Sequence, residues 1–172
     1  CPSWLARAAR WSDIDLEAGL WSYTPPKTRN QTQLEHLIPL PSQAIAILQE
    51  LQQINGKKPF VFTSWGKEGH LSENAVNGAL RRMNYTSEEM CGHGFRATAR
   101  TILEEVLGYR PELIEQQLAH VIKDTNGRAY NRTKNLVERK QMMQAWAEYL
   151  EVLRIGNVIP VNFALQNASS NT

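Results

Sequence analysis

Three short clusters in this chain carry side chains able to handle a phosphate group: His93-Gly94-Phe95-Arg96, Leu118-Ala119-His120 and Ala129-Tyr130-Asn131-Arg132. A fourth candidate, Lys27, stands alone in a polar stretch. His93 and Arg96 are three positions apart, so a helix would place both on one face, with Cβ atoms roughly 5–6 Å apart. Cys91-Gly92 just before them favours a tight turn, which puts the pair near a helix N-terminus. Unpaired backbone N–H groups and the helix dipole favour an anion there. A guanidinium grips two phosphate oxygens in a planar fork, and an imidazole moves a proton near neutral pH. The plainer reading is a surface arginine beside a capping histidine. His120, after Leu118-Ala119, reads equally well as a helix C-terminal cap favoured by the dipole. Tyr130 lies between Arg128 and Arg132. A phenol with a pKa near 10 is a poor nucleophile until cations or a base assist it, so Tyr130 on its own reads as a packing residue.

The surrounding periodicity predicts the elements that must position these groups. Ile14-Asp15-Leu16 and Leu20-Trp21-Ser22-Tyr23, separated by Glu17-Ala18-Gly19, predict a hairpin with glycine in its turn. His36-Leu37-Ile38-Pro39-Leu40 predicts a third strand, with Pro39 favouring an edge. From Ser42 the period lengthens, and Ile45, Leu48, Leu51 and Ile54 predict an amphipathic helix closed by Asn55-Gly56. Ser72 is the expected N-cap of a helix carrying Val76, Leu80 and Met83. A helix over 94–107, ended by Gly108, would carry Arg96, and Pro111 would open a short helix running through Leu118. A long last helix over 134–153 carries Leu136, Met143, Trp146 and Leu150, followed by a polar tail from Gly156. The expected fold class is mainly α, with a small three-stranded antiparallel β-sheet near the start.

Composition narrows the function. A length of 172 residues suits one domain with its own core. Nineteen Lys+Arg against 17 Asp+Glu give a net charge of +2, which neither demands nor excludes nucleic acid. The two cysteines, Cys1 and Cys91, rule out a disulfide framework or a zinc site of clustered thiolates. No apolar run approaches the roughly 20 residues of a membrane span, and no signal-peptide pattern opens the chain, so the expected location is cytoplasmic. No phosphate-cradling glycine loop or magnesium-binding carboxylate cluster occurs, so no cofactor is expected.

The order His-x-x-Arg, then Leu-Ala-His two dozen residues on, then Tyr ten residues later, resembles the catalytic domain of the tyrosine recombinase (phage integrase) family. The wording His93-Gly94-Phe95-Arg96-Ala97-Thr98-Ala99-Arg100 is similar to integrases of prophages and genomic islands. So are Ala129-Tyr130-Asn131-Arg132, Met142-Met143-Gln144-Ala145-Trp146-Ala147, Trp11-Ser12-Asp13-Ile14-Asp15 and Glu35-His36-Leu37-Ile38-Pro39-Leu40. The likeness covers about residues 11–153. It implies the DNA breaking–rejoining fold: a catalytic domain over 1–155 lacking its start, a tail over 156–172, and N-terminal DNA-binding domains absent from this chain. The implied function is site-specific recombination in integration or excision of a prophage or genomic island. Tyr130 would attack a DNA phosphodiester, forming a 3′-phosphotyrosyl bond and releasing a 5′-hydroxyl, without ATP or metal. Arg96 would hold the non-bridging oxygens, His93 would take or share the tyrosine proton, and His120 would hydrogen-bond the phosphate. Lys27 is the best match to the lysine that protonates the leaving 5′-oxygen, although another alignment puts Gln31 there.

The resemblance breaks at the start. The family's Thr-Gly-x-Arg-x-x-Glu-Leu stretch corresponds to Cys1-Pro2-Ser3-Trp4-Leu5, with Cys1 at the first catalytic arginine and Trp4 at the glutamate. Loss of one oxyanion donor costs roughly 2.7–4 kcal/mol of transition-state stabilisation. The alternative expectation is therefore a truncated or decayed integrase that binds DNA without cleaving it. The implied partners are double-stranded DNA attachment sites and, in the synapse, a homo-tetramer. Arg128, Arg132, Lys134, Arg139 and Lys140 are expected around Tyr130, with Arg81-Arg82 and Lys57-Lys58 reaching flanking phosphates. Arg139 and Lys140 have the simpler alternative of solvating a helix face. Val158-Ile159-Pro160-Val161, with Phe163 and Leu165, reads either as a segment docking onto a neighbour or as a frayed tail.

Overall fold

A computed structural model describes residues 6–23, 36–118 and 135–156. A short turn of helix at Trp11–Asp13 leads into strand β1 (Ile14–Asp15), and β2 (Leu20–Tyr23) returns antiparallel to it. The turn between them closes through Asp15 Oδ1, which accepts the Ala18 N–H at 2.8 Å. Gly19 adopts φ +63°, a backbone conformation that strains any residue with a Cβ. Strand β3 (His36–Pro39) pairs with β2 in the register Trp21↔Ile38 and Leu20↔Pro39, giving the order β1-β2-β3. Pro39 thus sits on an edge strand, as its missing N–H requires.

Helix α1 (Ser42–Asn55) packs Leu48 into a core formed with Ala9, Trp21, Ile38 and Val61. Ile54, expected on the buried stripe, is 82% exposed. The inward position one turn-pair beyond Leu48 belongs to Asn55 instead, because seven residues nearly complete two turns. Asn55 is buried with its amide satisfied: Nδ2 donates to the Val61 carbonyl at 2.8 Å, and Oδ1 accepts Trp11 Nε1–H at 3.2 Å.

Helix α2 (Ala75–Arg82) begins later than predicted. Ser72 does not cap it; the Ser72 carbonyl closes a turn onto the Ala75 N–H at 3.1 Å, and Asn74 takes the cap position. Helix α3 (Gly94–Thr101) continues directly into a wider π-helical turn, Ile102–Val106, and stops at Gly108 with φ +69°. Pro111 opens α4 (Pro111–Gln117), where its fixed φ and absent N–H are tolerated. Helix α5 (Leu136–Ile155) starts after Asn135 and ends at Gly156, both left-handed. Leu103, Leu107, Leu113, Ile114, Leu118 and Met142 form a second core among α3, its π turn, α4 and α5. Helix α5 also reaches the sheet side, where Gln144 Oε1 accepts the Ser42 N–H at 2.9 Å. Among the described residues, no helix is long and apolar enough to cross a membrane.

Candidate active site

The first turn of α3 holds Arg96 together with His93, which stands between Gly92 and the closely packed Gly94. The Gly92 N–H donates to Asn77 Oδ1 at 2.8 Å, tying the approach to α2, and a Cβ on Gly92 would meet Asn77 and Val76 at 3.5 Å. A Cβ on Gly94 would lie 3.0 Å from Met90 Sδ. His93 occupies the N-cap position with helical backbone angles, and its carbonyl accepts the Arg96 N–H at 3.1 Å. Its side chain makes no capping hydrogen bond and is exposed.

Arg96 is half-buried one turn into the helix. Its Nη2 donates to the Leu118 carbonyl at 2.6 Å, at the C-terminal end of α4 where backbone carbonyls carry partial negative charge. Its Nη1 is buried and has no hydrogen-bond partner among the described residues. Burial pulls the guanidinium pKa below its usual value, and the charge of Glu115 opposes that shift. The group stays a cation at any ordinary pH. A buried cationic donor left open is costly, and a phosphate oxygen would satisfy it. Glu115 is itself engaged by Arg100 Nε at 2.9 Å, while Arg100 Nη1 meets Glu104 at 2.8 Å. The Arg100–Glu115 pair ties α3 to α4, the Arg100–Glu104 pair stays within the continuous helix, and the buried Leu113 and Ile114 fix α4 in the core.

Of the other predicted catalytic residues, Tyr130, His120 and Lys27 lie outside the described residues, as do Arg128, Arg132 and Lys134. Of the predicted catalytic set, His93 and Arg96 fall among the described residues, joined by the backbone bond of one helical turn. Arg82 is exposed at the end of α2. Arg81 directs its guanidinium to the Tyr85 carbonyl and, at 2.8 Å, to the Met90 carbonyl, bracing the segment before Cys91. Lys57 and Lys58 are exposed, and Lys58 Nζ sits 5.5 Å from the ring centroid of the fully exposed Trp65.

Arg139 corrects the sequence reading, which had it lining the tyrosine or solvating a helix face. It is 1% exposed. Its Nε and Nη2 donate to Gln117 Oε1 at 3.0 and 2.8 Å, and Nη2 also donates to the Leu37 carbonyl at 2.5 Å. Burial pushes its pKa down to about 10. Arg139 stands three positions before the fully buried Met142, on the inward stripe of α5. That placement is the signal by which the sequence could have revealed its burial. Lys140 bonds the Ala18 carbonyl at 3.1 Å. A separate groove of about 740 Å³, lined by Gly19, Ile45, Tyr109, Lys140 and Glu148 among others, includes neither His93 nor Arg96.

The described residues form a mostly helical domain with a small antiparallel sheet, in which half-buried Arg96 stands one turn into α3. The chain belongs to the phage integrase family of tyrosine recombinases: the sequence model of that family matches residues 6–136. It is 36% identical over 175 residues to the "Putative protein IntB" of Escherichia coli K12, an alignment covering 94% of this chain and 44% of that protein. It is 39% identical over 165 residues to the "Integrase" of Enterobacteria phage P4, covering 86% of this chain and 37% of that one. The "Prophage integrase IntA" of Escherichia coli K12 is 36% identical over 155 residues, with 90% and 37% covered. The chain therefore spans less than half the length of these curated relatives. No solved structure gives a significant match.

Proposed function

We propose that this chain carries the strand-cleavage centre of a site-specific DNA recombinase that integrates or excises a prophage or genomic island. The observation that carries this reading is Arg96, with one guanidinium nitrogen held by Leu118 and the other buried without a partner among the described residues. In the proposed reaction the Tyr130 phenol oxygen attacks the scissile phosphorus and the bond to O5′ breaks. The phenol proton passes to His93, and Lys27 gives a proton to the leaving oxygen, so a 3′-phosphotyrosine and a free 5′-hydroxyl result. Arg96 and His120 stabilise the negative charge gathering on the non-bridging oxygens, where preorganised donors act most strongly. The 5′-hydroxyl of a second duplex reverses the step. Because the phosphotyrosine retains the energy of the broken bond, exchange proceeds between attachment-site duplexes in a tetramer. Arg128, Arg132, Lys134, Arg81 and Arg82 serve the flanking phosphates.

The test is a nicked suicide duplex bearing the attachment site. The expected result is a detergent-stable protein–DNA adduct that forms with this chain and vanishes in Tyr130→Phe. The second reading, DNA binding without cleavage, rests on the family resemblance, which aligns Cys1 and Trp4 with the motif's arginine and glutamate. Absence of the adduct at high protein concentration, with DNA still bound, would establish that reading instead.

A further inference from the structure

We infer that Arg139 is a positioning residue for Arg96, locking the C-terminal end of α4 between helix α5 and strand β3. Its guanidinium lies within the fold, with 1% of the residue exposed. It grips the Gln117 side-chain oxygen with two nitrogens and the Leu37 carbonyl with one of them. Gln117 is itself buried, and its backbone neighbour Leu118 presents the carbonyl that receives Arg96 Nη2. The chain of contacts therefore runs from the middle of β3, through Arg139 and Gln117, to the carbonyl that accepts Arg96 Nη2. Each link is short, and each involves a charged donor, which makes such bonds stronger and more directional than neutral ones.

The physical case rests on what else could occupy that position. Position 139 faces the core, where an apolar residue would pack without desolvating a charge. A buried guanidinium contributes geometry instead: its planar fork fixes the distance and angle between two elements that have no backbone pairing with each other. A helix end of only two turns, as in α4, frays unless something holds its last carbonyls. Arg139 supplies that restraint one residue before the carbonyl that orients Arg96. The importance of Arg96 to cleavage rests on the function proposed above, whereas the coupling of Arg139 to Arg96 is a property of the free chain.

The experiment therefore reads Arg96 itself. In heteronuclear NMR spectra of the guanidinium groups, a side chain held through one Nη shows resolved Nη signals and slow proton exchange. The Arg96 signals are assigned by their loss in Arg96→Lys. Two sets of variants are compared. Arg139→Met combined with Gln117→Leu replaces the polar contact with apolar packing, a change that preserves or raises stability in many buried ionic clusters. Gln117→Ala leaves the arginine and its bond to Leu37 in place and serves if the double variant fails to fold. The expected result is that Arg96 proton exchange quickens by about tenfold or more in both, the size of a lost hydrogen bond to a charged group. The melting temperature of the double variant should stay near that of the parent. Unchanged Arg96 signals in either folded variant, or fast exchange already in the parent, overturn the proposal. Adduct formation is scored separately. A parent chain that forms no adduct counts against the proposed function while the Arg96 measurement still decides the positioning role.

Discussion

Arg96 is half-buried, with one guanidinium nitrogen bonded to Leu118 and another without a partner among the described residues, and the function proposed above rests on it. Lysine at position 96 would keep the charge but lose the fork, so it could not hold the Leu118 carbonyl and a phosphate oxygen in fixed geometry together. Arg96→Lys is expected to lower the single-turnover rate of adduct formation by about 10²–10³, corresponding to roughly 2.7–4 kcal/mol. The melting temperature reports whether the fold survives the change. Tyr23 offers a pH-dependent test of the sheet. Burial raises its phenol pKa to about 12, because the folded environment disfavours the phenolate. That contribution to stability is present below the unfolded value of about 10, and is lost as pH rises from there through about 12. An absorbance titration should show a late tyrosinate step that Tyr23→Phe removes. The histidine–arginine spacing was legible from sequence, since it is a local pattern tied to one helix. The burial of Arg139 is hard to read from sequence, because arginines are mostly exposed and only its place on the stripe of Met142 argues otherwise.

The elements follow the same division between local and tertiary causes. The hairpin and its glycine turn were readable, because alternation and a φ > 0 position are properties of a few adjacent residues. Helix α5 was read at 134–153 and is found at Leu136–Ile155, close to the span its apolar spacing predicts. The start of α2 was not readable at Ser72, since its hydroxyl and its carbonyl both offer ways to close a turn and the fold uses the carbonyl. Nor was Ile54, an apolar residue left in water because Asn55 fills the inward position with two hydrogen bonds. The stop that follows the π turn is testable. Gly108 has φ +69°, where a Cβ costs about 1–2 kcal/mol. Gly108→Ala should lower the unfolding free energy by about that much in urea denaturation, with an unchanged m-value.

At the scale of the molecule, 19 basic and 17 acidic residues leave no large overall field. The DNA affinity proposed above would then come from where the cations gather, and not from the total. Binding to a duplex should fall steeply with salt, and Arg82→Gln should weaken it about equally for all sequences while lowering the salt slope by about one. A fluorescence anisotropy titration at several salt concentrations checks this, and a salt-independent curve would contradict it. The fold class was legible as a whole, because it depends on the succession of periods along the chain. The coupling between the two cores was not, since the residues that join them, such as Ser42 with Gln144 and Leu37 with Arg139, lie 102 positions apart.

The π-helical turn at Ile102–Val106 bears on how this chain tolerates a change of length. A wide turn absorbs one surplus residue while both flanks keep the phase of an ordinary helix. Removing the exposed Glu105 should therefore return an unbroken helix in which Arg96 and Leu107 keep their facings. The same deletion inside α5 would rotate everything beyond it by about 100°, carrying Met142 out of the core. Circular dichroism and thermal melting of the two deletion variants would separate them. The helix that bears Arg96 thus holds a place where one residue can be removed without turning Arg96 or Leu107 from their facings.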